Sequence, residues 1–290
     1  MRACSAGQTP ELSAVGSNET PEDAGGASVS DAPAVRPPLK WAGGKRWLAQ
    51  HVKKLWEPYR DRRLVEPFCG GLAVTLGLLP ERAVLNDINP HLIAFYRQLQ
   101  AGFTITTPLV RDEQAYYAAR DRFNALMHAG LEEGAEAATL FYYLNRTGYN
   151  GLCRFNRRGE FNVPFGRYKH INYTTDFSLY QEVFKKWEFS IGDFANLDIQ
   201  CGDVLYADPP YDVQFTQYSK EAFGWDEQVR LANWLASHSG PVMLSNQATE
   251  RIVRLYGDLG FALRFFDAPR RINNTGDRTP AREVLALKGL

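Results

Sequence analysis

Apolar residues in this chain follow two rhythms that alternate. Short apolar runs predict strands over 63–68, 83–86, 188–191, 204–207, 241–245, 261–266 and 283–287. Between them the spacing turns helical, over 89–100, where Pro90 suits a first-turn position, and over 226–238. A longer helical stretch covers 112–146 through Tyr116, Ala119, Phe123 and Leu126, then Leu140, Tyr143 and Leu144. The glycine-rich segment 148–168 reads as a hairpin. Strand–helix alternation predicts an α/β, doubly wound sheet. The stretch 112–175 interrupts it and reads as an inserted helical and hairpin subdomain between two parts of one domain, 37–111 and 176–290. Residues 1–36, rich in Ala, Gly, Ser, Pro and acids, cannot offset the entropy of ordering and are expected to form a disordered acidic tail.

Charge changes this picture once it is divided along the chain. The 290 residues carry 33 basic and 33 acidic side chains, a zero balance that argues against a nucleic-acid binder. The tail holds a balance of −3, however, which leaves +3 for the rest. Across 145–170, Arg146, Arg154, Arg157, Arg158, Arg167 and Lys169 face only Glu160, with Tyr149, Phe155, Phe161, Phe165 and Tyr168 interleaved. That pattern fits either a solvated hairpin face or a DNA contact. The cysteines at 4, 69, 153 and 201 and the five histidines show no metal-ligand spacing and no disulfide framework, so no metal is expected. No membrane-length apolar run and no signal-like start occur, and a cytoplasmic monomer is expected.

The chemistry concentrates at Asp208-Pro209-Pro210-Tyr211, directly after the 204–207 strand. A loop there sits at the carboxyl edge of a sheet, where ligand crevices of open α/β folds lie. Two prolines stiffen the backbone and remove two donors. A carboxylate, bare carbonyls and an aromatic face remain, able to accept from a flat amino-bearing ring while stacking on it. A nucleobase fits that description, although a strand-ending turn has the same letters.

Two further sequences, Lys40-Trp41-Ala42-Gly43-Gly44-Lys45 and Val65-Glu66-Pro67-Phe68-Cys69-Gly70-Gly71, join this one. Together the three resemble the amino-methyltransferases that use S-adenosylmethionine. Their order along the chain is similar to that of the alpha-ordered adenine methyltransferases. The segments 144–156 and 159–168 resemble the target-reading hairpin of the Dam-type DNA adenine methyltransferases, and the likeness runs collinearly over about 38–288. The resemblance implies a Rossmann-like methyltransferase domain carrying a target-recognition insertion, and methylation of adenine within GATC in duplex DNA. It implies catalysis by Asp208, Pro209 and Tyr211, and cofactor binding by Trp41, Lys45, Phe68, Gly70, Asp87 and Asp208. Asp193 and Phe194 are expected at the cofactor adenine. For DNA it implies guanine reading by Arg154, an outer guanine contact by Lys40, and contacts from Arg146, Tyr149, Asn150 and Leu152. Arg270, Arg271 and Arg278 are expected near phosphates.

Residue chemistry supports some of these roles independently. The Gly70-Gly71 turn admits close backbone approach. Asp87, about 17 residues after the loop, sits where acids accept from ribose hydroxyls, or where Asp87 to Asn89 cap a helix. One departure stands out: Leu72 occupies the second glycine position of the Phe-x-Gly-x-Gly pattern of many relatives, which leaves open whether Gly71 substitutes for it. Methylation of an RNA base or a protein glutamine, or DNA binding without catalysis, are the competing readings.

Overall fold

The computed structural model describes residues 35–106, 109–212, 223–268 and 281–290. The expected tail, up to residue 34, and Arg270, Arg271 and Arg278 lie outside the described residues. At the tail's expected end, Val35 packs against the core and the Arg36 carbonyl accepts from Tyr180 Oη at 2.8 Å.

In chain order the helices and strands are α1 (Ala49–Trp56), β1 (Leu64–Glu66), α2 (Thr75–Leu78), β2 (Ala83–Asp87), α3 (Pro90–Gln100), α4 (Glu113–His128) and α5 (Ala135–Thr147). Then follow α6 (Ser178–Phe184), β3 (Trp187–Ile191), β4 (Val204–Ala207), α7 (Trp225–Ala236), β5 (Val242–Gln247), α8 (Glu250–Asp258), β6 (Ala262–Ala268) and β7 (Ala281–Lys288). One seven-stranded sheet has the order β3-β2-β1-β4-β5-β7-β6. Its first five strands pair in parallel, and β7 enters antiparallel between β5 and β6.

Strand periodicity shows directly in the packing. Leu64, Leu85, Val204 and Tyr206 belong to one apolar cluster, while their neighbours Val65, Val84, Leu205 and Ala207 belong to the other. Alternate side chains point to opposite faces, and both faces are covered, as a parallel sheet requires. The first cluster also contains residues of α1, α3, α4, α5 and α6, and the second contains residues of α7 and α8.

Between α3 and α6 the chain leaves the sheet. The single helical stretch expected over 112–146 is two helices, because the chain turns between them with Gly130 at φ +69°. The expected hairpin is present as an antiparallel excursion without a continuous ladder. Isolated bridges join Gly148 to Phe165 and Phe155 to Phe161. Left-handed residues at Asn150, Gly151 and Gly159, and a proline without a donor at 164, break the pairing into pieces. Side chains make up the difference: Asn124 exchanges two bonds with the Phe161 backbone, and Tyr116 Oη donates to the Val163 carbonyl at 2.9 Å.

Candidate active site and nucleic-acid interface

Asp208 leaves β4 at the carboxyl edge and is met there by Lys45. The Lys45 ammonium, 2% exposed, lies 3.0 Å from Asp208 Oδ1, which also accepts from Ser245 Oγ at 2.8 Å. Among the described residues nothing donates to Asp208 Oδ2 or to the Pro209 carbonyl. The Pro210 carbonyl is occupied, accepting from Gln228 Nε2 at 2.7 Å. Lys45 also donates to Tyr211 Oη and sits 4.4 Å from the centre of the Tyr211 ring. Tyr211 in turn donates to Glu283 Oε1 at 2.6 Å. The phenol is thereby held by its hydroxyl and is half-buried rather than sealed in the interior.

Burial raises the pKa of the Asp208 carboxyl, and Lys45 opposes the shift. Glu283 behaves alike, raised by burial against the pull of Lys45. Glu66, buried on β1, accepts from Thr75 Oγ1 and is pushed up to about 8 by burial. Three buried carboxyls thus share one ammonium, with burial favouring the protonated form of each and Lys45 favouring the ionised form of Asp208 and Glu283.

Next to it lies the glycine turn. Gly70 takes φ +43° and its N–H donates to Asp87 Oδ2 at 3.0 Å. Its carbonyl accepts from Tyr96 Oη at 2.7 Å. Trp41 packs against this turn, so that a Cβ on Gly71 would come within 2.7 Å of Trp41 Cβ. The left-handed conformation in this turn falls to Gly70 and Leu72, not to Gly71. Leu72 itself adopts the left-handed conformation, φ +59°, and is fully buried.

Asp87 itself does not cap the helix at Pro90. Asn89 is the helix cap, accepting from His91 and Leu92 N–H at 3.1 and 3.3 Å. Asp87 Oδ1 instead accepts from Asn89 N–H at 2.9 Å, and the carboxylate braces the loop edge of the crevice. Asp193 is pulled below the usual carboxylate range by Arg230, whose guanidinium reaches both its oxygens at 2.9 and 2.5 Å. Phe194 is buried beneath that guanidinium and meets Phe68 at 5.7 Å between ring centres.

The insertion reaches the crevice through Lys40. The Asn145 side-chain amide accepts from Lys40 N–H at 2.9 Å and donates to the Lys40 carbonyl at 2.8 Å. Lys40 Nζ donates to the Arg146 carbonyl at 3.0 Å and lies 3.8 Å from the Tyr168 ring centre. Burial and the neighbouring Arg146 lower its pKa to about 8. A Cβ on Gly151 would collide with Lys40, so only glycine allows this approach. Arg146 donates to the Asn172 carbonyl. Tyr149 is 48% exposed, Asn150 beside it is left-handed at φ 52°, and Leu152 is half-buried. Arg154 is exposed and anchored by Asn162, with Nε 2.7 Å from Oδ1 and Nη2 3.1 Å from the carbonyl.

Residues 41–267 match the family of D12 class N6 adenine-specific DNA methyltransferases. The chain belongs to that family. It is 34% identical over 265 residues to the Retron Ec67 DNA adenine methylase of Escherichia coli, with 87% of this chain and 90% of the relative covered. To the DNA adenine methylase of Escherichia coli K12 it is 36% identical over 270 residues, 86% of this chain and 94% of that one. The Salmonella typhi DNA adenine methylase is 37% identical over 272 residues, with 86% and 94% covered.

In this D12 adenine methyltransferase the sequence motifs account for Lys45, Asp208 and Tyr211 but not for their other partners. The structure adds Ser245 and Glu283, which touch Asp208 and Tyr211, and elsewhere in the site Glu66 and Asn145, which bond Thr75 and Lys40. Glu283 had a legible signal, a charge at the head of the apolar run Val284-Leu285-Ala286-Leu287. Among the described residues no group of three or more His, Cys, Asp or Glu is arranged to hold a metal. No described helix is long and apolar enough to cross a membrane.

Proposed function

We propose that this chain methylates the exocyclic amino nitrogen of an adenine flipped out of duplex DNA, within GATC, with S-adenosylmethionine as donor. The observation that carries the reading is Asp208: Lys45 and Ser245 fix one carboxylate oxygen, while the other oxygen and the Pro209 carbonyl have no donor among the described residues. Two hydrogens on the target nitrogen need two such acceptors. Accepting from both bends the nitrogen toward tetrahedral and frees its lone pair from the ring. Asp208 also stabilises the positive charge that develops there. Tyr211, its hydroxyl tied down, offers its ring to the extruded base.

S-adenosylmethionine supplies a methyl group on a sulfonium, so that the nitrogen lone pair forms the new N–C bond while the C–S pair stays on sulfur. One N–H proton then leaves to solvent. The residues present fit that donor: an acidic crevice, a glycine turn that a Cβ would block, and an acid at the end of β2. Trp41, Phe68, Gly70 and Asp87 would hold it, with Lys45 and Asp208 beside the methyl group. Asp193 and Phe194 would line the adenine end, with Arg230 bridging them. The 112–175 insertion would read the target. Arg154 would meet guanine, and Tyr149, Asn150 and Leu152 would enter the gap left by a base whose extrusion costs roughly a few kcal/mol. Lys40 and Arg146 would flank them. Family membership favours this reading over methylation of RNA or glutamine.

The test is digestion of DNA from cells expressing the protein. GATC sites should resist an enzyme blocked by adenine methylation, and Asp208→Ala should restore cleavage. Continued cleavage with the wild-type protein rejects the target.

A further inference from the structure

Tyr211 is held by a carboxylate that belongs to none of the three motifs. Glu283 lies at the head of β7, paired with Gln247 at the end of β5. Because β7 runs antiparallel, its beginning emerges at the edge where the parallel strands finish, beside the Asp208 turn. The side chain is 8% exposed. Oε1 accepts from Tyr211, whereas Oε2 lies 3.7 Å from Lys45 Nζ and has no hydrogen bond among the described residues. A buried carboxylate with an unsatisfied oxygen is costly to the fold. Packing alone gives no reason for a glutamate there.

Charge balance in the crevice does. Lys45 is one ammonium between two carboxylates, at 3.0 Å from Asp208 and 3.7 Å from Glu283. With Asp208 alone it would form a neutral pair, which has little to offer a nitrogen gaining positive charge. The second carboxylate, when ionised, gives the cluster an excess of one negative charge, and it shares Lys45 with Asp208. It also gives the Tyr211 hydroxyl an acceptor other than Asp208, which keeps Asp208 Oδ2 open and fixes the ring.

We propose that Glu283 is a positioning residue of the methyl transfer, holding Tyr211 by its hydroxyl and sharing Lys45 so that Asp208 stays charged and open toward the target amino group. The proposal rests on the adenine-transfer reading above.

Glu283→Gln separates charge from shape, since it retains an acceptor for Tyr211 and removes the negative charge. Single-turnover methylation of a GATC duplex, duplex and donor affinities by calorimetry, and melting temperature are measured on the full chain. The expected result for E283Q is a rate lowered on the order of 10²-fold with both affinities within about threefold of wild type, and partial rescue in Glu283→Asp. Its melting temperature should be unchanged or higher. An active wild-type protein with an E283Q rate within about threefold of it overturns the proposal alone. A wild-type protein that transfers nothing to adenine overturns the parent reading, and this one with it. Should E283Q not fold, Tyr211→Phe removes the hydroxyl through which Glu283 and Lys45 hold the ring. A loss of about tenfold or more in its rate supports the proposal and a rate within about threefold overturns it.

Discussion

Trp41 and Gly71 meet so closely that a Cβ added to Gly71 would stand 2.7 Å from Trp41 Cβ, backed by backbone-proximal atoms that cannot swing aside. Two motifs whose contacting residues stand 30 positions apart in sequence are thus one surface, the indole lying along the glycine turn. Gly71→Ala must push Trp41 outward or open the turn. The expected cost is about 1–3 kcal/mol of stability from overpacking, together with weaker binding of the methyl donor. Urea unfolding and calorimetry check both. Unchanged midpoint and affinity would mean that the contact is slack.

Leu72 sets two effects against each other. Its left-handed backbone costs roughly 1–2 kcal/mol, which glycine would relieve. Its side chain is fully buried in the core cluster, and truncating such a leucine typically costs about 2–5 kcal/mol. Packing wins, so Leu72→Gly is expected to destabilise the protein by about 1–3 kcal/mol despite restoring the common glycine. A variant more stable than wild type in urea would show that strain dominates.

The sheet was legible because its signal is local. Val204-Leu205-Tyr206-Ala207 is apolar throughout because both its faces are buried, and its bounds match the expected ones. Helices α1 and α8 lie outside the expected helical stretches; they are short, eight and nine residues, with three buried residues in one and two in the other. The motifs brought Lys45, Asp208 and Tyr211 to notice, and the fold brings those three together. What stayed hidden is long-range pairing. Glu283 meets Tyr211 across 72 residues, and Asn145 meets Lys40 across 105. No spacing rule reaches that far. Such contacts exist only once β7 has slotted between β5 and β6 and the insertion has folded back on the motif.

Arg154 presents a partly used fork. Two of its five N–H donors are spent on Asn162, which fixes the guanidinium plane and leaves the others directed outward from an exposed side chain. A bidentate contact to guanine needs that preset plane. Arg154→Ala is expected to lower discrimination at one guanine by about 1–3 kcal/mol, and Asn162→Ala to produce a smaller loss at the same position. Competition binding with single-base variants of the duplex measures it. A uniform loss on all sequences, with a reduced salt dependence, would reassign Arg154 to a phosphate.

Glu66 makes stability depend on pH in an unusual direction. Its carboxyl is buried beside Asp208 and Asp87, and its pKa rises from an ordinary 4.5 to about 8, chiefly through burial. Between those values the unfolded chain has released the proton while the folded protein still holds it. The contribution is therefore fully present below pH 4.5 and is lost as pH rises toward 8, at about 1.4 kcal/mol per pH unit. Glu66→Gln keeps an oxygen for the Thr75 hydroxyl and has nothing to ionise. It should melt close to wild type at about pH 5 and well above it at about pH 8, by roughly 5–10 °C if several kcal/mol are recovered. The measurement is the difference in melting temperature between variant and wild type at the two pH values, so that other titrating groups cancel. A difference that does not grow with pH would mean that Glu66 is ionised in the folded protein and held by a charge partner instead.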